Sequence, residues 1–174
     1  MGSGRATDLV ADDVGDEVAR FVAEHRAALL RVAFGLCRER AAAEDLVQDT
    51  SVRLLDRWDH VRRARHQLAY VRTVMVRLYL DQVGRTEVPV VDARVGELAG
   101  PDAYAELESV SAAVALVAGL PPQARAVLTL RYIEDLDDRE IAEVLGITRS
   151  TVRVTAHKAL RRLAVSASSP TRRA

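Results

Sequence analysis

Apolar residues in the first half of the chain recur every three or four positions, the spacing that places them on one face of an α-helix. The first such run predicts one long helix from Val18 to Cys37. After a break at residues 38–40, a second run predicts a helix from about Ala41 to Trp58, and a third predicts a helix from about Gln67 to Val83. Three helices of this length form one compact bundle.

The helical pattern stops between residues 84 and 105, where Gly, Pro and acidic residues take its place. This composition is typical of an interdomain linker. The pattern resumes with a helix near 106–118, a Leu-Pro-Pro break at 120–122, and a helix from Gln123 to about Ile133. The sequence therefore predicts a second helical domain after the linker.

The two ends of the chain resemble tails. Residues 1–15 contain three Asp and a Gly-Ser-Gly start, and predict a disordered acidic tail, while residues 165–174 are rich in Ser and Arg. The predicted fold class is therefore all-α, with two small helical domains at 16–83 and 106–164 joined by a flexible acidic linker at 84–105.

The most specific local pattern follows at Asp137. This residue can cap a first short helix, Gly146 supplies a turn, and Thr148 can cap a second helix. The apolar residues that share one face or fill the turn are Ile141, Val144, Leu145 and Ile147. This combination predicts a helix-turn-helix, whose second helix enters the major groove of DNA.

Charge strengthens the connection to DNA. The chain has 25 basic and 25 acidic residues and no formal net charge, but the two signs are separated along it. Residues 1–19 and 86–113 are acidic, whereas the second helix of the helix-turn-helix carries no acid through Leu163. Its basic residues are Arg149, Arg153, Lys158, Arg161 and Arg162. Positive charge is thus concentrated where a phosphate backbone would lie.

The sequence gives little support for redox, metal-binding or catalytic chemistry. The single cysteine, Cys37, excludes an internal disulfide, and its apolar neighbours predict a packed thiol. The four histidines are scattered, and the sequence has no phosphate loop or nucleophile motif. No apolar run approaches the roughly 18 residues that span a bilayer, and the start is not a signal peptide. We expect no catalytic residue, metal, cofactor, small-molecule substrate or membrane insertion, and a cytoplasmic location.

Two segments resemble one protein family. Residues 43–50 read Ala-Glu-Asp-Leu-Val-Gln-Asp-Thr and, with Leu54 and Trp58, resemble the sigma-2 domain of bacterial sigma factors. Residues 120–128 read Leu-Pro-Pro-Gln-Ala-Arg-Ala-Val-Leu and, with residues 151–153, resemble their sigma-4 domain. The order of the segments is similar to that of the extracytoplasmic-function (ECF) subgroup of the sigma-70 family of RNA polymerase sigma factors.

The resemblance implies three binding regions. The sigma-2-like domain would bind the polymerase core through Asp45, Gln48 and Asp49. It would bind the opened −10 element through Arg62, Arg63, Arg65, Tyr70, Arg72 and Arg77. The sigma-4-like domain would bind the double-stranded −35 element through Arg149, Ser150, Thr151, Arg153, Val154, Thr155, His157 and Lys158. Arg77, Val154 and Thr155 depart from the residues that the family commonly has at these positions.

The resemblance implies promoter-specific initiation of transcription. The implied partners are RNA polymerase core enzyme, promoter DNA and an anti-sigma protein. The alternative is a conventional helix-turn-helix regulator, which binds an operator without core enzyme. Such a regulator would carry a receiver or ligand-binding domain in its first half, and the three-helix pattern resembles neither. An enzyme has almost no support from the sequence.

Overall fold

The computed structural model describes residues 4–85 and 117–168, and the regular structure in these ranges is helical. The helices are α1 (Gly4–Glu24), α2 (Arg26–Cys37), α3 (Arg40–Leu55), α4 (Trp58–Arg63), α5 (Gln67–Arg85), α6 (Pro122–Tyr132), α7 (Asp138–Leu145) and α8 (Arg149–Ser168). A 3₁₀ turn, Val117–Gly119, precedes α6. The all-helical fold class is confirmed. Residues 84–85 of the predicted linker continue α5, whereas the rest of the linker and most of the predicted helix near 106–118 lie outside the described residues.

The first helix begins and ends earlier than the sequence pattern predicted. It starts at Gly4, so the prediction of a disordered tail through residue 15 is wrong. Apolar residues already recur every four positions from Val10 to Val18, which extends the helical pattern upstream. The single long helix predicted from Val18 onward is two helices that meet at His25. The imidazole of His25 stacks on Phe21, with ring centroids 4.2 Å apart.

The second predicted helix is also divided. Arg38 adopts a left-handed conformation, with φ of 67°, and ends α2. The next helix, α3, stops at Leu55, and a separate helix, α4, begins at Trp58 and occupies much of the basic segment between the second and third predicted helices. Trp58 and Val61 are 5% and 0% exposed, so their burial explains why this segment folds against the bundle. The third predicted helix, now α5, is confirmed.

Helices α1 to α5 form the N-terminal unit. Its fully buried side chains include Leu29, Leu36, Leu46, Leu54 and Met75. Burial of each such side chain stabilises the fold by roughly 1.5–3 kcal/mol. Within the described residues, no helix is both long and apolar enough to cross a membrane.

Helices α6 to α8 form the C-terminal unit, and α7 and α8 are the predicted helix-turn-helix. Gly146 lies between them with φ of 66°, a conformation that glycine adopts without a steric penalty. Val152 and Ala156 on the inner face of α8 are buried with Leu130 and Ile141 in the same core. The outer face of α8 is left open to solvent.

Candidate nucleic-acid interface

The helix-turn-helix begins with a complete capping box. Asp137 Oδ1 accepts hydrogen bonds from the backbone N–H groups of Arg139, at 2.7 Å, and Glu140, at 2.8 Å. In return, Glu140 Oε2 accepts from the backbone N–H of Asp137 at 2.8 Å. The hydrogen bonds from Glu140 and Arg139 hold the pKa of Asp137 below its usual value. These bonds satisfy N–H groups at the start of α7 and fix its orientation.

The second helix is fixed in the same way. Thr148 Oγ1 accepts from the backbone N–H of Thr151 at 3.1 Å, which confirms the predicted cap. With Val152 and Ala156 buried, the residues at helical spacing on the opposite side are presented to solvent. The exposed predicted −35 residues are Arg149, Ser150, Thr151, Arg153, Val154, His157 and Lys158, and Thr155 is half-buried. The structure thus places almost all of this set on the outer surface of one helix.

An acidic residue that the sequence analysis missed lies beside this surface. Asp138, the first residue of α7, accepts from Arg153 Nε through Oδ2, at 2.8 Å. Its other oxygen, Oδ1, accepts from Arg131 Nη2. No local motif joins these residues, because they come from three different helices. The predicted base-contacting arginine is therefore held by an ion pair.

The predicted core-binding residues form an exposed strip on α3. Asp45, Gln48 and Asp49 are all exposed, and Asp49 Oδ2 accepts from Gln82 Nε2 at 2.7 Å. Beyond them the same surface carries Val52 and the adjacent Leu55, which are 57% and 45% exposed.

Leu55 faces outward, although helical spacing alone would place it with the apolar face of the second predicted helix. Its spacing of seven residues from Gln48 places it on the same outer face of α3, whereas the neighbouring Leu54 is the residue that points into the core. The surface therefore combines acids and an amide with exposed apolar groups. Such a mixture suits a protein partner.

The predicted −10 residues are more widely spread. Arg63 and Arg65 are exposed. Arg62 is also exposed but pairs with Asp59 and, at 3.4 Å, with Glu17. The Arg62 hydrogen bond holds the pKa of the Asp59 carboxyl below its usual value.

Tyr70 lines a cavity of about 280 Å³ between α3 and α5. Two arginines that the sequence analysis missed, Arg53 and Arg57, line the same cavity with Arg77. They come from α3 and the turn that follows it, so only the folded structure brings them next to α5. The cavity joins one aromatic ring and three cationic side chains to a single carboxylate, Asp81. Its aromatic and net positive lining is the combination that binds unpaired bases and their phosphates.

The two remaining −10 residues contact the C-terminal unit. Arg77 donates from Nε to the carbonyl oxygen of Val144, at 2.9 Å, and from Nη2 to that of Glu143, at 3.0 Å. Arg72 Nη1 lies 2.6 Å from Glu134 Oε2, and the Glu134 side chain is only 2% exposed. Burial raises the pKa of Glu134, and Arg72 opposes this effect. In this arrangement both arginines are engaged within the protein.

A buried arginine joins the same two units. Arg125 on α6 donates from Nη1 to the carbonyl oxygen of Leu36, at 2.8 Å, and to the hydroxyl of Tyr79, at 3.0 Å. Its Nη2 donates to the carbonyl oxygen of Leu120 at 3.0 Å. These acceptors are neutral, and burial lowers the pKa of Arg125. The hydrogen bonds offset part of the cost of removing a charge from water.

The contact between α2 and α6 depends on a glycine. A Cβ added at Gly35 would lie 2.8 Å from Ile133 Cδ1 and 2.9 Å from Thr129 Cγ2. The close approach requires the absence of a side chain. The sequence analysis did not predict this packing, because it joins segments about a hundred residues apart.

The Cys37 thiol is expected to resist alkylation in the folded chain. Burial raises its pKa to about 12, although the charge of Arg125 opposes the shift. Its reactive thiolate at pH 8 should therefore be about a thousandfold scarcer than in an unperturbed thiol. Mass spectrometry after iodoacetamide treatment, with and without denaturant, measures this difference. An exposed thiol introduced by Ser150→Cys is the control, and equal reactivity of the two thiols would contradict the expectation.

Bacterial sigma factors match the chain over most of its length. Residues 21–87 match the family model for Sigma-70 region 2, and residues 112–163 match Sigma-70, region 4. The RNA polymerase sigma-E factor of Streptomyces avermitilis is 32% identical over 155 residues, covering 84% of this chain and 83% of the relative. The ECF RNA polymerase sigma factor SigL of Mycobacterium tuberculosis is 34% identical over 154 residues, covering 80% of this chain and 82% of the relative.

A solved structure shows the same fold. The sigma factor RpoE of Bartonella quintana, crystallised with the anti-sigma factor NepR, aligns with a TM-score of 0.62 at 17% identity, over 84% of this chain and 94% of that one. Because sigma-70 regions match both halves of the chain, the alternative of a conventional helix-turn-helix regulator is not favoured. The chain belongs to the sigma-70 family of RNA polymerase sigma factors, in its extracytoplasmic-function group, and its function is that of a transcription initiation factor.

Proposed function

We propose that this sigma factor uses three separate surfaces of the two predicted domains, 16–83 and 106–164. The strip Asp45, Gln48 and Asp49 on α3 binds core polymerase, with Val52 and Leu55 extending the contact. The −10 element binds along α4 and α5, and the −35 element binds the outer face of α8. The observation that carries this proposal is the capped helix-turn-helix, which presents a basic face of α8 to solvent. The protein acts as a non-catalytic specificity subunit in the cytoplasm.

The packing of the two units places a condition on this function. Arg72 and Arg77 contact the C-terminal unit, so they are free for DNA only after the units separate. The interface is suited to separation because it buries ionic groups at a cost. Within the described residues, Arg72 Nε, Arg125 Nε and Glu134 Oε1 are buried without a hydrogen-bond partner. We propose that binding to core enzyme separates the two units.

An anti-sigma protein is a further proposed partner. The sigma factor of Bartonella quintana that shares this fold is bound to one. A protein of that class could hold the DNA-binding surfaces away from promoters until a signal arrives. Affinity purification of the chain from its host tests this proposal. Recovery without any stoichiometric inhibitor would count against it.

Reconstitution with bacterial core RNA polymerase tests the main proposal. The assembled holoenzyme is given a pool of genomic fragments, and its transcripts are sequenced. Discrete start sites that share two upstream sequence elements are the expected result. Failure to assemble with core enzyme, together with tight operator binding by the chain alone, would overturn the proposal.

The double variant Gln48→Ala with Asp49→Ala is expected to lose core binding by at least about tenfold, because it removes the centre of the proposed contact strip. Its binding to −35 DNA should be unchanged, since α8 lies in the other unit. Gln82→Ala is the matched control, because it removes only the side chain that bonds Asp49. Fluorescence anisotropy with labelled core enzyme and labelled DNA measures both activities. Equal loss of core binding and of −35 DNA binding would indicate misfolding.

A further inference from the structure

We infer that Asp138 is a positioning residue for recognition of the upstream promoter element. Its carboxylate holds Arg153 so that the outer end of the guanidinium is presented to base edges. The inference rests on the proposed function of α8 as the helix that reads the −35 element. Asp138 itself lies on α7 and would not contact DNA.

The geometry of the ion pair carries this inference. Arg153 uses Nε to reach Asp138 Oδ2 at 2.8 Å, and 69% of the Arg153 side chain remains exposed. One of its five N–H donors is therefore used inward, and the other four belong to Nη1 and Nη2. These two nitrogens form the fork that binds O6 and N7 of guanine. A fork held at its base has fewer conformations to lose when it binds.

The second oxygen of Asp138 is also occupied. Oδ1 accepts from Arg131 Nη2, and the side chains of Arg131 and Asp138 are only 24% and 26% exposed. The three residues form a chain from α6 through α7 to α8. Because its inner end is shielded from water, this chain is screened less than an ordinary surface ion pair. Arg131 thus fixes the carboxylate, and the carboxylate fixes Arg153.

A purely structural role explains Asp138 less well. An acid in the first turn of a helix is favourable, but the capping box of α7 is already formed by Asp137 and Glu140. Both oxygens of Asp138 instead bond arginine side chains. A negative charge close to the DNA surface also weakens binding to phosphate. A residue that lowers the overall affinity for DNA but orients a base-reading arginine favours sequence specificity over affinity.

The test measures base preference. Holoenzyme assembled with the full-length chain transcribes a library in which the upstream element is randomised, and the transcripts are counted by sequencing. Arg153→Ala first identifies the base pair whose preference depends on Arg153. Asp138→Ala is expected to reduce preference at that same pair by about tenfold, the scale of one good bidentate contact, and to change other positions by less than about twofold. Arg131→Gln should give a smaller loss at the same pair.

Two further variants separate positioning from charge and folding. Glu143→Ala removes an exposed acid from the same helix and should leave the base preference unchanged. Asp138→Asn keeps one oxygen acceptor of similar size, so it should fold if Asp138→Ala does not and should give an intermediate loss. The inference is overturned if Arg153→Ala changes one position and the Asp138 variants do not, or if they reduce output equally at every position. If Arg153→Ala changes no position, the proposed role of α8 fails instead.

Discussion

Arg153→Ala is expected to cause a large loss of promoter selectivity in transcription while leaving assembly with core enzyme intact. Arg153 is the exposed arginine that pairs with Asp138 on α8, the proposed recognition helix, and a bidentate contact to guanine contributes about 1–3 kcal/mol of discrimination. Its removal therefore lowers preference for the correct promoter by roughly 5- to 150-fold. Core binding should be unaffected, because the strip on α3 lies in the other unit. Transcription from the best promoter of the genomic pool, compared with a scrambled −35 element, measures the effect.

The matched control for this prediction is Arg161→Ala. Arg161 is also exposed on α8, two turns farther along the helix. Its loss should weaken DNA binding uniformly and make it less sensitive to salt, without changing sequence preference. If both variants reduce transcription to the same extent from correct and scrambled promoters, Arg153 contributes only charge and is not a base-reading residue.

The helix-turn-helix could be predicted from sequence because its determinants are local. The capping residues Asp137 and Thr148, the turn at Gly146 and the buried face of α8 are all specified within about 25 residues. Hydrophobic spacing was sufficient to find the long helices for the same reason. It was insufficient at the end of α3, where Leu55 faces outward and a separate helix begins at Trp58.

The partners of the arginines could not be predicted in this way. Arg72 bonds Glu134, and Arg77 bonds carbonyl groups more than 60 residues away along the chain. Asp138 likewise meets Arg153 only because α7 and α8 fold against each other. A charged residue in a sequence has many potential partners, and tertiary packing selects among them. Residue type thus indicated DNA binding correctly, but it did not reveal which side chains are engaged within the protein.

The interface between the two units also lacks a sequence signal, although one glycine makes it possible. Glycine within a helix costs about 1 kcal/mol relative to alanine, so Gly35 disfavours α2 when that helix is considered alone. This cost is offset by the close approach of Thr129 on α6 and Ile133 directly after it. A side chain at this position therefore has two opposite effects. It favours the helix of the N-terminal unit, and it pushes the C-terminal unit away.

Gly35→Leu is expected to separate the two units without unfolding the N-terminal one. The added side chain meets α6 below contact distance, and overpacking of this kind costs about 1–3 kcal/mol. Small-angle X-ray scattering should show a larger radius of gyration, while circular dichroism shows unchanged helix content. Release of Arg72 and Arg77 should also raise the affinity of the core-free chain for single-stranded −10 DNA severalfold. Gly15→Leu is the control, because a Cβ there meets no atom within 4 Å. An unchanged radius with unchanged DNA affinity would show that the interface absorbs the side chain and that its packing does not restrict the −10 surface.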